Sequence, residues 1–402
     1  MSPESTYFRK GFGLKAEVER TLTADYDGHL VDLLLAREHT LTAGPVTIRL
    51  AKEFGFCYGV ERAVEYAYQT RTKFPERCIF LAGEIIHNPH VNEKLREMGI
   101  VFLPQSGTGF DYGAVTPQDV VILPAFGVTI HDFTTLRELG CVMVDTTCGS
   151  VLNVWKRVDA YAKDGFTALI HGKYYHEETR ATASQVEKYR GGTYLVVRDM
   201  AEADDVIAYI EGRGDREAFV AQYARAASPH FDPDLHLDRI GVANQTTMLA
   251  RESLAIAAAV GAAMERAHGK DHRETHFRTF DTICSATQDR QDAVNALLTE
   301  PLDVMLVVGG YNSSNTISLA ALTAERVRTF HIEDAACIDP ARGRVRHRDP
   351  VTHEEVESEA WLPADGDVRV GLTAGASTPN NKIGETVARV LATRGVDPAT
   401  VV

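Results

Sequence analysis

The chain has 402 residues, 44% of them apolar and 24% charged, which is the make-up of a folded globular protein with room for two or three domains and not of a disordered chain. Its 42 basic and 56 acidic residues leave a formal charge of −14, which argues against a general binder of nucleic acid or of membrane surfaces, both of which are anionic. No window approaches the run of about 20 apolar residues that a spanning helix needs.

The opening stretch MSPESTYFRKGFGLKAEVER has no apolar core and carries acids early, so neither a secretory signal nor a transit peptide is expected. Residues 1–46 read as a polar extension with helical character around Tyr26 to Arg37, suited to capping a sheet edge or to assembly. Beyond it, short apolar runs alternate with amphipathic stretches. Strands are predicted within 46–51, 78–85, 120–126, 141–147, 166–172, 193–197, 239–245, 277–283, 304–310, 328–332 and 368–375. Helical patterns such as ERAVEYAYQ, NVWKRVDAYAK, RQDAVNALL and KIGETVARVLA follow them. The expected fold class is α/β, with repeated βα units, mostly parallel sheets, and the functional site at the strand C-terminal ends. Residues 211–239 and 340–363 read as surface insertions.

Six cysteines, Cys57, Cys78, Cys141, Cys148, Cys284 and Cys337, are too few for a disulfide scaffold, and none forms a CxxC pair. Reduced thiols and a cytoplasmic setting are expected. Three of the six share one grammar. In RLAKEFGFCYGVERAVEYA, CVMVDTTCGSVLNVWKRV and FRTFDTICSATQDRQDAVNAL, a strand runs into Cys57, Cys148 or Cys284 and a helix follows at once. A thiol placed there meets the positive end of the helix dipole, which favours the thiolate, a good soft-metal ligand. A single cysteine in such a turn is more often a small packing residue; three in one context point to a shared site. Three thiolates with no matched fourth suit a cubane iron–sulfur cluster with one open iron, whereas a closed zinc site wants a fourth Cys or His. Cys78 and Cys141 in strand patterns, and Cys337 in a loop, read as packing residues.

Polar loops supply the second theme. In VMLVVGGYNSSNTISLAAL a strand ends in Gly309 and Gly310, and Ser313, Ser314 and Asn315 open a helix whose N–H groups and hydroxyls suit a phosphate. N-capping is the competing reading of the same residues. Ser377 and Thr378 repeat the design in VRVGLTAGASTPNNKIGETVARV, as do Gln245, Thr246 and Thr247 in VANQTTMLARES. His87 follows a strand in LAGEIIHNPHVNEKL, and His176, Glu177 and Glu178 precede a helix in ALIHGKYYHEETRATASQV. An imidazole can pair with a diphosphate and a carboxylate can deliver a proton, although one histidine at a strand end is more often structural. His268, His272 and His276 fall at i, i+4 and i+8, but Gly269 and the polarity of AHGKDHRETH indicate a solvated helix end or loop. No GxGxxG follows a strand, which disfavours a dinucleotide fold.

Taken together, FGFCYGVERA, EIIHN, DTTC, HEET, ANQTTM, TICSATQDRQDA, GGYNSSNT and TAGAST, in this order, resemble the 4-hydroxy-3-methylbut-2-enyl diphosphate reductases, the IspH/LytB enzymes of the methylerythritol phosphate pathway. The resemblance runs from about Val46 to Leu391 and is nearest the longer plant and cyanobacterial branch. It implies a trefoil of three pseudo-equivalent α/β units around a central iron–sulfur cluster: an extension at 1–46, then units at 47–148, 149–281 and 282–402. It implies one [4Fe-4S] cluster on Cys57, Cys148 and Cys284, and a substrate diphosphate against His87, His176, Ser313, Ser314, Asn315 and Ser377, with Thr246 nearby. Glu178 matches the proton-relay carboxylate, assisted by Thr246. The implied reaction is reductive dehydroxylation of the allylic diphosphate to isopentenyl and dimethylallyl diphosphate, with a ferredoxin or flavodoxin-type electron donor. Two positions depart from the common pattern: Phe126 stands where many bacterial members carry a diphosphate-binding His, and Gly149 where Pro is usual. From the residues alone, a zinc-dependent hydrolase and a non-catalytic phosphometabolite-binding protein remain as alternatives.

Overall fold

Each of the eleven predicted runs contains a strand in the computed structural model, which describes residues 6–107, 109–280 and 282–401. The chain forms two compact units, both discontinuous in sequence. The first comprises Met1–Lys10, Phe74–Ile85 and Gly99–Cys284; the second comprises Gly11–Lys73, Ile86–Met98 and Ser285–Val402.

The first unit holds two wholly parallel sheets. One runs in the order Tyr7–Phe8, Val142–Asp145, Val120–Leu123, Ile79–Leu81, Ile100–Phe102. The other runs Tyr194–Val197, Thr167–His171, Ile240–Asn244, Phe277–Thr279. Central strands such as Val120–Leu123, Thr167–His171 and Ile240–Asn244 are buried at every position. That is why they read as continuous apolar runs: helices cover both faces of a parallel sheet. The second sheet has its own core, which includes Val158, Leu169, Leu195, Val206, Ile256 and Val260.

The second unit is built on one eight-stranded sheet. Its order is Ile338–Asp339, Arg344–Arg348, Thr329–Ile332, Val304–Val308, Val368–Ala374, Val46–Leu50, Thr40–Ala43, with Glu355–Glu359 paired to Arg344–Arg348. The interior strands are parallel and the outer ones antiparallel.

This sheet departs from the unit expected at 47–148. Its opening strand, Val46–Leu50, pairs with Val368–Ala374 in the register Val46↔Val368, and Val46, Ile48 and Leu50 pack with Val370 and Leu372 in one core. Cys57 therefore belongs with the C-terminal part of the chain. The described part of the extension does cap edges. Tyr7–Phe8 borders the five-stranded sheet and Thr40–Ala43 the eight-stranded one, while Val31 and Leu34 of helix His29–Ala36 join Ile383 and Val387 of helix Asn380–Ala392. Residues 1–5 of the extension lie outside the described residues.

The two stretches read as surface insertions are more deeply involved than that. Phe219, Tyr223 and Leu237 enter the core of the four-stranded sheet, and Val345 and Trp361 enter that of the eight-stranded sheet. No described helix is long and apolar enough to cross a membrane.

Candidate active site

All three cysteines singled out by their context stand directly before helices: Tyr58–Lys73, Gly149–Lys163 and Ser285–Leu297. Cys57 donates its N–H to the Ala376 carbonyl (3.2 Å) and accepts the Glu61 N–H (2.9 Å). Cys148 donates to Ala125 (2.9 Å) and accepts from Leu152 (3.0 Å), so both residues are locked by backbone bonds while their thiols stay out of the ladder. None of the six cysteines forms a disulfide; Cys57, Cys148 and Cys284 are half-buried, and Cys141 and Cys337 are buried. Burial pushes the Cys141 thiol up to about 11, the opposite of what a thiolate ligand needs. Cys78 departs from the packing expectation: it lies just before Ile79–Leu81 and is exposed.

In the first unit, Glu178 and Thr246 come together. Glu178 lies in the first turn of helix Glu177–Ala183, and Thr246 follows strand Ile240–Asn244. The Glu178 carboxylate accepts the Thr246 N–H at 2.6 Å and the Thr246 hydroxyl at 3.0 Å. Glu178 is only 1% exposed and Thr246 4%, so this is an oriented, nearly dry carboxyl–hydroxyl pair. His176 caps the same helix, its Nδ1 accepting the Glu178 N–H at 3.1 Å. That bond places the ring proton on Nε2 and makes His176 a hydrogen-bond donor.

Phe126 packs edge-on against the His176 ring, with centroids 5.5 Å apart at 81°. Its loop is held by Gly127, whose φ of +76° suits glycine and where an added Cβ would collide with the Trp155 ring. Gln245, offered to the anion by sequence, is committed to positioning. Its Oε1 accepts from Thr179 (3.1 Å) and Lys173 N–H (3.2 Å), and its Nε2 donates to Thr247 (2.9 Å). Sequence reading also passed over Thr282, which bonds the N–H (3.1 Å) and the side chain of Asn244 and so ties the Thr246 loop to the segment carrying Cys284.

In the second unit, His87, Ser377 and the serine loop meet. The Ser377 hydroxyl donates to the His87 carbonyl at 3.1 Å, and Asn312 Nδ2 lies 3.4 Å from His87 Nδ1. Ser313 is the N-cap of helix Ser314–Ala324, so the capping reading holds for it. As the acceptor in the capping bond, its hydroxyl keeps its own hydrogen for donation elsewhere. Asn315 Oδ1 accepts the Ala376 N–H at 2.9 Å. Its Nδ2 is buried with no hydrogen-bond partner among the described residues, a donor whose desolvation an anion would offset. Gly309 has φ of +148°, and a Cβ there would crowd the Thr316 and Thr378 hydroxyls. The turn therefore closes only on glycine.

Similarity to other proteins extends over nearly the whole chain. The family model described as "LytB protein" matches residues 48–391. The 4-hydroxy-3-methylbut-2-enyl diphosphate reductase of Thermosynechococcus vestitus is 47% identical over 391 residues, 97% of this chain and 95% of that one. Its counterpart from Gloeobacter violaceus is 48% identical over 395 residues, 97% and 93% of the two chains. A solved structure described as (E)-4-hydroxy-3-methyl-but-2-enyl diphosphate reductase, the terminal enzyme of the non-mevalonate pathway, superposes with a TM-score of 0.51 at 26% identity, covering 85% of this chain and 98% of that one. The Plasmodium falciparum enzyme structure shares the fold, with a TM-score of 0.61 at 21% identity over 86% and 87% of the chains. With the cysteine turns, the Glu178–Thr246 pair and the serine loop in place, the chain belongs to the LytB family, that of the 4-hydroxy-3-methylbut-2-enyl diphosphate reductases.

Proposed function

We propose that the chain reduces (E)-4-hydroxy-3-methylbut-2-enyl diphosphate to isopentenyl and dimethylallyl diphosphate, the last step of the methylerythritol phosphate route. Beside family membership, one observation supports this reading above others: the buried Glu178 carboxylate held by both the N–H and the hydroxyl of Thr246. The reaction takes up two electrons and two protons, breaks the allylic C–O bond and releases water. Cys57, Cys148 and Cys284 would hold one [4Fe-4S] cluster with one iron left open. The donor set fits: three thiols outside disulfides, each at a helix start and each half-buried. When bound, the cluster supplies the electrons and a Lewis-acidic iron.

The chain's own residues move the proton and hold the anion. With its carboxyl protonated, Glu178 donates to Thr246 Oγ1, and the threonine hydrogen turns to the departing hydroxyl oxygen. His176, through Nε2–H, and His87 bind the diphosphate together with Ser313, Ser314, Asn315 and Ser377, where helix N–H groups add positive potential. The diphosphate is remote from the bond that breaks, so its binding energy serves to position the reacting carbon. Electrons arrive from a ferredoxin or flavodoxin-type protein.

Glu178→Gln is expected to lower reductive turnover with a chemical electron donor by about 10²–10⁴-fold, the usual contribution of a general acid, with iron content and visible absorbance unchanged. Full activity in that variant would remove Glu178 from the reaction. Cys148→Ser is expected to lose iron on anaerobic purification, and an unchanged iron content would exclude Cys148 as a ligand.

A further inference from the structure

A second group of metal-ligating side chains lies at the other end of the four-stranded sheet. Strands Ile240–Asn244 and Phe277–Thr279 are parallel, with Ile240 opposite Phe277, so the residues just before them come to the same end, away from the Thr246 loop. Asp238 stands two residues before the first strand. His276 closes helix Lys270–His276 directly before the second, and His272 lies one turn earlier on that helix. The i, i+4, i+8 stripe noted in the sequence is not one helix: it breaks at Gly269, whose φ is +91°, and His268 ends the preceding helix.

The geometry of the remaining pair is specific. The His272 and His276 rings are parallel, 4.0 Å apart at 10°. His272 Nε2 is 3.3 Å from Asp238 Oδ1, and His276 Nε2 is 3.7 Å from Asp238 Oδ2. One ligand atom from each of the three residues lies within 4.8 Å of the others. His276 Nδ1 faces the His272 carbonyl at 3.3 Å. The Thr275 hydroxyl lies closer to the same nitrogen, at 2.8 Å, and His272 Nε2 also lies 3.4 Å from the Asp238 carbonyl. Both Nε2 atoms face the Asp238 carboxylate, so a cation placed among the three side chains would meet two imidazole nitrogens and a carboxylate oxygen. Nearby basic side chains are engaged elsewhere: Arg239 and Arg278 lie over the Phe166 ring at 4.4 and 4.1 Å, and Arg273 pairs with Glu265.

Two imidazole nitrogens spaced i, i+4 and one carboxylate oxygen are the ligands of Zn²⁺ and its first-row neighbours and not of Ca²⁺ or Mg²⁺, which want oxygen alone. We propose that Asp238, His272 and His276 bind one divalent transition ion of the Zn²⁺ type, with water completing the shell, and that the ion clamps the starts of the two strands that lead to Thr246 and Cys284. The ion acts on stability and touches none of the reacting groups.

The test uses cluster-loaded protein prepared anaerobically, dialysed against micromolar Zn²⁺, with bound zinc quantified and its X-ray absorption recorded. The wild type is expected to retain one more zinc per chain than Asp238→Asn or the His272→Ala/His276→Ala double variant. Its zinc shell should hold only nitrogen and oxygen, with imidazole scattering, and its affinity should exceed that of either variant at least tenfold. Zinc should raise the thermal midpoint of the wild type alone, with turnover and iron content equal in all three proteins. Equal zinc binding in the wild type and both variants, or a sulfur-containing zinc shell that places the ion on cysteines instead, overturns the proposal.

Discussion

His331 is a residue whose importance lies wholly in what it holds. Its Nε2 donates to the Gly309 carbonyl at 2.9 Å, and its ring stands edge-on to Tyr311, with centroids 5.2 Å apart. It thereby tethers the glycine turn that precedes the serine loop. Burial, with the positive charge of Arg348 and the neighbouring histidines added, holds its pKa down to about 4, against the opposing pull of the Gly309 bond. In the unfolded chain the same group titrates near 6.5. Between these values the unfolded state binds more protons, so stability rises with pH across the window, is fully present above about 6.5 and is lost as pH falls toward about 4. Urea midpoints measured from pH 4 to 7 should show that slope, and His331→Gln, which keeps a donor for Gly309, should flatten it. Nothing in RTFHI distinguishes such a tether from a packed strand residue. The cysteine turns were readable because strand, Cys and helix are adjacent in sequence. Gln245 was misassigned because its partners, Thr179 and Lys173, lie more than 60 residues away.

At the scale of elements, the helix that begins at Gly149 offers a direct trial. Cys148 is extended, with φ −61° and ψ 143°, as a residue before proline prefers, and Gly149 is the first helical position. A Cβ at Gly149 meets nothing within 4 Å. Gly149→Pro should therefore stabilise the protein by about 0.4–1 kcal/mol by restricting the unfolded chain, read as a higher urea midpoint with iron content unchanged. The unusual glycine thus costs some rigidity and leaves the cysteine turn in place. The strands were legible because parallel strands covered on both faces are uninterrupted apolar runs. The insertions were misread because Val345 and Trp361 reach the core from segments otherwise rich in charge, where composition outweighs single buried residues.

For the whole molecule, discontinuity decides what can stand alone. The core of the four-stranded sheet is drawn entirely from residues within 149–281. That fragment should fold and unfold cooperatively when followed by circular dichroism. The fragment 282–402 lacks Val46–Leu50 and Thr40–Ala43, which leaves the buried strand Val368–Ala374 as an uncovered edge. It should be aggregation-prone, as exposed apolar edges are. A soluble, cooperative 282–402 fragment would contradict the assignment of Val46–Leu50 to that sheet's stability. Sequence grammar found three similar segments but not that the first is completed by the last, because pairing across the length of a chain leaves no local trace.

The pairing of Val46–Leu50 with Val368–Ala374, and of the Cys57 N–H with Ala376, also sets an order in time. At synthesis rates of about 5–20 residues per second, the partner strand is made roughly 15 to 60 s after the first one. For that interval the nascent chain carries Cys57 on a segment without its sheet neighbour, reachable by oxidants and by proteases. The first cysteine to leave the ribosome is therefore the last whose backbone is fixed in place, and the cluster proposed to rest on it would be assembled only once translation is nearly complete.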